Sequence, residues 1–386
     1  MLNSAVRHDR RTTRPRRRAA SVALVVAAIA IVASACSSAS SGGSSGGGSS
    51  PAAQPGLAWA KQTVAKYETR PTQIPVTTPF TKKIPAGKKV IFISCGAAAC
   101  ILESNIIKQA TNLLGWTLQT INTDGSNGQF KNAWQQAVTE RPAAVLYTAI
   151  DLSVFQTQLA QLTAEGTAVA SCCVTYPAGN GIDAVLDGSQ DNILQGQMQA
   201  AWMIQDSNGA GSSLFVNLPS YNILTQLANG FSGAVAAHCP ACTTHQLNIP
   251  LSQIANKNAT IVSYLLAHRK VKYVALAVDD LAVGLPAALQ SAGLSDVKII
   301  GDGANTATLG YIQDGQIAED ISFPYYEVMW TMVDAVARKI AGEPVPDYGN
   351  PGYWMMNKSN IPSGNQLFPM VTDYRSQYAK IWGLSS

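Results

Sequence analysis

The sequence predicts an α/β protein with two doubly wound parallel-sheet domains in series and an interdomain ligand cleft. Two observations carry that expectation. From Lys88 onward, short apolar runs alternate with stretches long enough for helices, the pattern of βαβ units. After Asp187 the alternation starts again, and the chain beyond its Ser/Gly tether, about 300 residues, suffices for two cores.

The elements are expected in the following order. Val90-Ile91-Phe92-Ile93 is a short apolar run suited to a strand buried on both faces. A helix over Ile101 to Leu114 ends at Gly115-Trp116, and Thr117 to Ile121 is the next strand. Then come helix Gln129 to Glu140, strand Ala143 to Tyr147, helix Val154 to Ala164 and strand Thr167 to Cys172. The second series reads helix Asn192 to Gln205, strand Ser213 to Asn217, helix Asn222 to Ala237 and strand Thr244 to Ile249. It continues with helix Ala255 to Ala267, strand Lys272 to Val278, helix Leu281 to Ala292 and strand Lys298 to Gly301. In doubly wound sheets a ligand sits beyond the carboxyl ends of the strands.

The opening of the chain is not part of this body. Arg7, Arg10, Arg11, Arg14, Arg16, Arg17 and Arg18 precede an apolar stretch from Ala19 to Val32, then Ala33-Ser34-Ala35-Cys36. Basic region, apolar region and small-residue site in this order predict an export signal over residues 1–35. Its cysteine resembles the junction of a bacterial lipoprotein signal, which implies a mature chain starting at a lipidated Cys36. An ordinary signal peptide, or a signal anchor with an incidental cysteine, is the alternative. Residues 36–56 are Ser, Gly, Ala and Pro and read as a leash spanning about 25 Å. Leu57 to Glu68 suits a short helix, and Arg70 to Gly87, with prolines at 71, 75, 79 and 85, an extended surface segment.

Removing the leader changes the charge. Seven of the 27 basic and one of the 23 acidic side chains precede Cys36, leaving 20 and 22 and a net of −2. A mildly acidic body has no electrostatic footprint for nucleic acid. The six cysteines beyond Cys36 fall into close pairs, Cys95/Cys100, Cys172/Cys173 and Cys239/Cys242, which outside the cytoplasm read as disulfides. For His238 to His245, a zinc site or a redox dithiol remains open beside the disulfide.

The most distinctive motifs lie in the second series. Ala277 to Gly284 reads AVDDLAVG, Ala287 to Gly293 reads AALQSAG, and Gly301-Asp302-Gly303 follows. These, with Gly166, Gly230-Phe231, Gly315 to Ala318 and Pro324, resemble the type I periplasmic binding proteins, the ribose-binding-like receptors of sugar ABC transporters. The resemblance covers about Lys88 to Gly342. It implies an exported protein that captures a small solute by hinge closure and passes it to an ABC permease. Asp302 is the family ligand contact that survives at its position. Where sugar-binding members carry polar groups, this chain has Cys172-Cys173-Val174, Leu227 and Val278, and Ser322 stands near the usual Gln. A less hydroxylated or otherwise different ligand is therefore expected.

Asp279, Thr148, Asp151, Tyr176, Asn217, Tyr221, Tyr325 and Tyr326 also lie near strand ends and are candidate contacts. Asp279 could equally cap the helix that follows it. Enzyme signals are poor: no Ser/His/Asp order stands out, and Asn208-Gly209-Ala210-Gly211 lacks the lysine and preceding strand of a phosphate loop. Glu103 is read as a favourable charge near a helix start. No catalytic residue, metal or cofactor is expected. The expected organisation is a first domain over 88–190 plus 323–342, and a second over 191–322 plus the tail 343–386. The expected protein is a membrane-tethered monomer, with a kinase-partnered sensor or an extracytoplasmic thiol or metal protein as alternatives.

Overall fold

A computed structural model describes residues 55–384; the expected export signal, Cys36 and most of the expected tether lie outside the described residues. The chain begins with α1 (Pro55–Tyr67). The first sheet is built from β1 (Lys89–Ile93), β2 (Thr117–Ile121), β3 (Ala144–Thr148), β4 (Ala168–Cys172) and β5 (Ala184–Leu186), in the order β2-β1-β3-β4-β5. Its pairings are all parallel. Strands β1, β3 and β4 are buried along almost their whole length because α2 (Ala98–Leu113), α3 (Asn127–Glu140) and α4 (Gln156–Ala164) connect them and both faces are covered.

The second lobe opens with α5 (Ser189–Asp206). Its strands are β6 (Ser212–Asn217), β7 (Thr243–Asn248), β8 (Tyr273–Leu276), β9 (Lys298–Asp302), β10 (Glu319–Ile321) and β11 (Met355–Met356), ordered β11-β10-β9-β8-β6-β7. All pair in parallel except the edge, β10 with β11. Between them run α6 (Asn222–His238), α7 (Lys257–Ala267), α8 (Leu285–Ser291) and α9 (Leu309–Gln313). Helices α5 and α6 approach closely because two glycines face the partner backbone. A Cβ on Gly196 would collide with the Leu227 carbonyl, and one on Gly230 with that of Ile193.

The long α10 (Tyr325–Ala341) returns the chain to the first lobe and packs on β4 and β5, ending at Gly342 in a left-handed conformation. From there the assignment of the tail to the second lobe needs correcting. Only β11 joins the second sheet, whereas α11 (Tyr374–Ile381) packs on α10 in the first lobe. The reason is in the side chains: Tyr374, Tyr378 and Trp382 recur every four residues and present one aromatic face to Trp330.

The proline-rich lead runs extended over the surface with most of its residues exposed, and Ile74, Val76 and Ile84 pin it by entering the first core. Arg70 fastens it to the tail by donating to the Met370 and Pro369 carbonyls at 2.8 and 2.7 Å. Helix α1, in contrast, buries Ala60 and Val64 against α5 and α6 in the second lobe.

Two of the three expected disulfides are present: Cys95–Cys100 with 5.8 Å between Cα atoms, and Cys239–Cys242 with 5.2 Å. Cys172 and Cys173 are free thiols, which corrects the expected vicinal bridge. Cys172 enters the core as the last residue of β4, while Cys173, packed against the same core, follows with φ 63° and also reaches the cleft. The Cys239–Cys242 bridge also uses up the thiols a zinc site would need, and His238 stacks on Trp59 with centroids 3.8 Å apart.

Candidate functional site

The carboxyl ends of both sheets face a common cavity of about 130 Å³. The first lobe contributes Thr148 from the end of β3, Glu103 from α2, Cys173, and the Cys95–Cys100 loop. The second contributes Tyr221, Ala277, Val278, Asp280 and Asp302-Gly303; Asp187 and Phe323 to Tyr325 come from the crossings between lobes. A second space of about 100 Å³ shares Ala149, Cys173, Tyr221 and Ile223 with the first and holds Asp151 and Tyr176.

Of the residues singled out in the sequence, Asp302, Thr148, Tyr221, Tyr325 and Cys173 line the main cavity. Asp302 ends β9, is 6% exposed, and its Oδ2 has no hydrogen-bond partner among the described residues. Burial, reinforced by the charges of Asp187 and Asp279, holds its carboxyl well above the usual range. Thr148 donates from Oγ1 to Glu103 Oε2 at 2.9 Å, so it also orients a carboxylate.

The others are placed elsewhere. Asp279 sits behind the cavity wall, where it accepts from the Asp302 backbone N–H at 3.1 Å and faces Asp320. Gly301 lies between those two carboxyls, and any Cβ there would strike both. Burial raises Asp279 to about 6. Asn217 is buried and donates to Thr225 and Asn248 at 3.3 and 3.2 Å. Ser322 uses its hydroxyl to accept from the Trp354 N–H at 2.8 Å. Cys172 is a core residue. Tyr326 packs toward Tyr374 on α11, away from the cleft. Tyr176 donates to the Ile150 carbonyl at 2.6 Å and lines only the outer space. Asp151 accepts from Asn222 Nδ2 at 3.2 Å, a hydrogen bond that joins the lobes across the mouth.

The structure also brings in groups that the sequence reading passed over. Glu103 is not a helix-end charge: five residues into α2, it is 5% exposed and faces the cavity, with burial raising it to about 7 against the pull of Thr148. The signal available was its spacing, one turn after Cys100, whose bridge to Cys95 brings the start of α2 over the strand ends. Asp187 lies at the crossing into α5 and accepts from Asn192 Nδ2 at 2.9 Å, Gln195 Nε2 at 2.7 Å and the Tyr353 hydroxyl. Burial raises its carboxyl despite these donors. Asp280 accepts from Asn305 at 3.2 Å, and burial raises it while Lys257 opposes the shift. Aromatic walls complete the cavity, with the Phe323 and Tyr325 rings edge to face at 4.6 Å.

Carboxylates that can accept from a ligand, and rings that can stack on one, make this a recognition site. Among the described residues no group of three His, Cys, Asp or Glu side chains is arranged to hold a metal ion.

Known proteins share this architecture. The chain is 26% identical over 169 residues to the ribose import binding protein of Salmonella typhimurium, covering 42% of this chain and 55% of that one. It is 27% identical over 163 residues to the Escherichia coli K12 protein of the same name, covering 41% and 53%. The chain thus spans about half the length of the curated relatives it matches. Among solved structures, an ABC sugar transporter subunit from Rhodobacter sphaeroides superposes with a TM-score of 0.63 at 17% identity, covering 71% of this chain and 99% of that one. A solute binding protein from Agrobacterium vitis, bound with α-D-tagatopyranose, also gives 0.63 at 19% identity, covering 72% and 96%. At such identities the likeness is one of fold, and that fold is the periplasmic-binding-protein type I. The family model described as "Periplasmic binding protein domain" matches residues 103–344, more than half of the sequence, and the chain belongs to that family of ligand-binding, non-enzymatic proteins.

Proposed function

We propose that this chain is the substrate-capturing subunit of an ABC importer, tethered to the outer face of the cell membrane through a lipid on Cys36. Its ligand is a small organic solute, sugar-like or less hydroxylated, bound between the lobes and released to a permease. The observation that carries the reading is the placement of Asp302: a buried carboxylate with an unpartnered oxygen, at the carboxyl end of a strand, lining a cavity that both lobes enclose. The names of the ribose import relatives support the transport role. The Asp151–Asn222 hydrogen bond supports capture by closure, since it forms only while the lobes are together.

The test is a thermal-shift screen of sugars, polyols and less polar solutes on the soluble body, followed by titration calorimetry of any hit. A ligand at 100 times its Kd raises stability by about 2.7 kcal/mol. Asp302→Ala is expected to abolish the shift, and unchanged binding by that variant would remove the site from this cleft. For the anchor, Cys36→Ser should move the protein from the membrane fraction to the medium or periplasm. If the ligand alters gene expression but deletion of neighbouring permease genes leaves uptake unchanged, the protein is a sensor component instead.

A further inference from the structure

We propose that the ligand is a small organic cation, a sugar-sized amine whose ammonium group is held against Asp302. The inference rests on the reading of the cleft as a ligand site and narrows the class of solute it takes.

The cavity holds Glu103, Asp187, Asp280 and Asp302, and among the described residues no lysine or arginine lines it. The basic group that bears on this cluster is Lys257, the first residue of α7, which acts on Asp280. Asp279, behind Asp302, and Asp187, from the crossing, add charge of the same sign. The remaining titratable groups at the wall are Cys173, Tyr221 and Tyr325, neutral at ordinary pH.

The four carboxyls are not equivalent. Asp187 is saturated by Asn192, Gln195 and Tyr353. Glu103 accepts from Thr148, and Asp280 from Asn305. Asp302 alone of the four has a buried oxygen without a partner. A neutral hydroxyl could donate to it but brings no counter-charge to a desolvated cluster in which each carboxyl raises the cost of ionising its neighbours. An ammonium supplies both donor and counter-charge, and charge-assisted bonds are about twice as strong as neutral ones. The aromatic walls at Tyr221, Phe323 and Tyr325 suit the hydrocarbon face of such a molecule, and add cation–π attraction where the charge meets a ring.

A second consequence is a pH signature. Glu103 titrates at about 7 and Asp302 above the usual carboxyl range. A cation is bound best by the ionised carboxylates, so its binding releases protons and tightens between pH 5 and 8, where an alkylamine stays charged. A neutral ligand that accepts from the protonated acids would show the opposite slope.

The experiment compares matched pairs differing only in amine for hydroxyl: glucamine (1-amino-1-deoxysorbitol) against sorbitol, and 6-amino-6-deoxy-D-glucose against D-glucose. Calorimetry and thermal shift on the soluble body are run at pH 5, 6, 7 and 8. The amine of at least one pair is expected to bind about tenfold or more tighter than its partner, with affinity rising with pH. Asp302→Asn should erase the amine's advantage, and Glu103→Gln should flatten the pH dependence near 7; unfolding curves establish that both variants fold. Equal or tighter binding of the neutral partners, or binding that weakens as pH rises, overturns the inference and leaves the proposed function standing. No binding by any member of the panel at millimolar concentration overturns the inference, and the proposed function is then decided by the wider solute screen.

Discussion

Asp334 shows how one residue secures the first lobe. Its carboxylate accepts from Arg338 Nε at 2.7 Å, the Tyr348 hydroxyl at 2.9 Å and Trp382 Nε1 at 2.7 Å, tying α10 to the crossing segment and to the end of α11. Arg338, 1% exposed, also donates to the Thr78 carbonyl in the proline-rich lead. Removing one member of a buried pair strands the other charge, so Asp334→Ala is expected to cost about 3–5 kcal/mol in chemical denaturation. A loss below 1 kcal/mol would mean that water reaches Arg338. The two free thiols behave differently. Burial pushes Cys172 up to about 12 and Cys173 well above the ordinary thiol range, and a thiol that stays protonated is a poor nucleophile. In the soluble body starting after Cys36, iodoacetamide should leave both unmodified in the native state and label both on unfolding. Fast labelling of native Cys173 would instead show that the cleft opens readily.

At the scale of elements, the α5–α6 contact depends on two residues without side chains. Gly196 and Gly230 let each helix rest on the other's backbone carbonyls. Gly230→Ala forces the pair apart, and overpacking of this kind costs about 1–3 kcal/mol, which thermal unfolding would detect. An unchanged midpoint would show that the helices can slide. Gly230-Phe231 could be picked out from sequence as a motif, but its partner could not, because nothing in a linear reading says that residue 196 meets residue 227. The aromatic face of α11 had the complementary problem. Tyr374, Tyr378 and Trp382 repeat visibly at helical spacing, yet which lobe they cover was fixed only by Trp330 in α10. Strands β5, β10 and β11 are three, three and two residues long, too short to carry a period of their own.

For the whole molecule, the balance of buried acids sets a pH dependence. Burial raises Glu103 and Glu327 to about 7, Glu319 to about 8 and Asp279 to about 6. A carboxyl whose folded pKa lies above its unfolded value holds its proton more tightly in the native state. Its stabilising contribution is complete below about pH 4 and is lost as pH rises through the folded value. The unliganded protein should therefore melt at a lower temperature at pH 8 than at pH 5, each such group contributing up to about 1.4 kcal/mol per pH unit. A flat or rising profile would mean that these acids find counter-charges in solution. Closure is tested at the same scale: Asn222→Ala removes the hydrogen bond to Asp151 across the mouth and should speed ligand release while leaving the melting of the unliganded protein unchanged.

What the sequence by itself determined is whatever depends on local order along the chain: the alternation of buried strands and helices, the restart after Asp187, and the motif that sets Asp302 at a strand end. Two close cysteine pairs could be matched because bridging them needs only a short loop. Tertiary structure decided what depends on which face meets which. Cys172 is closed into the core, whereas its neighbour Cys173, packed against the same core, also lines the cleft. Thr148 and Glu103, 45 residues apart, become a hydrogen-bonded pair. Asp279 and Asn217, both near strand ends, turn inward and serve the scaffold. The acidity of the cleft belongs to the same class. Its four carboxyls come from distant parts of the chain and share one desolvated space, where each raises the cost of ionising its neighbours.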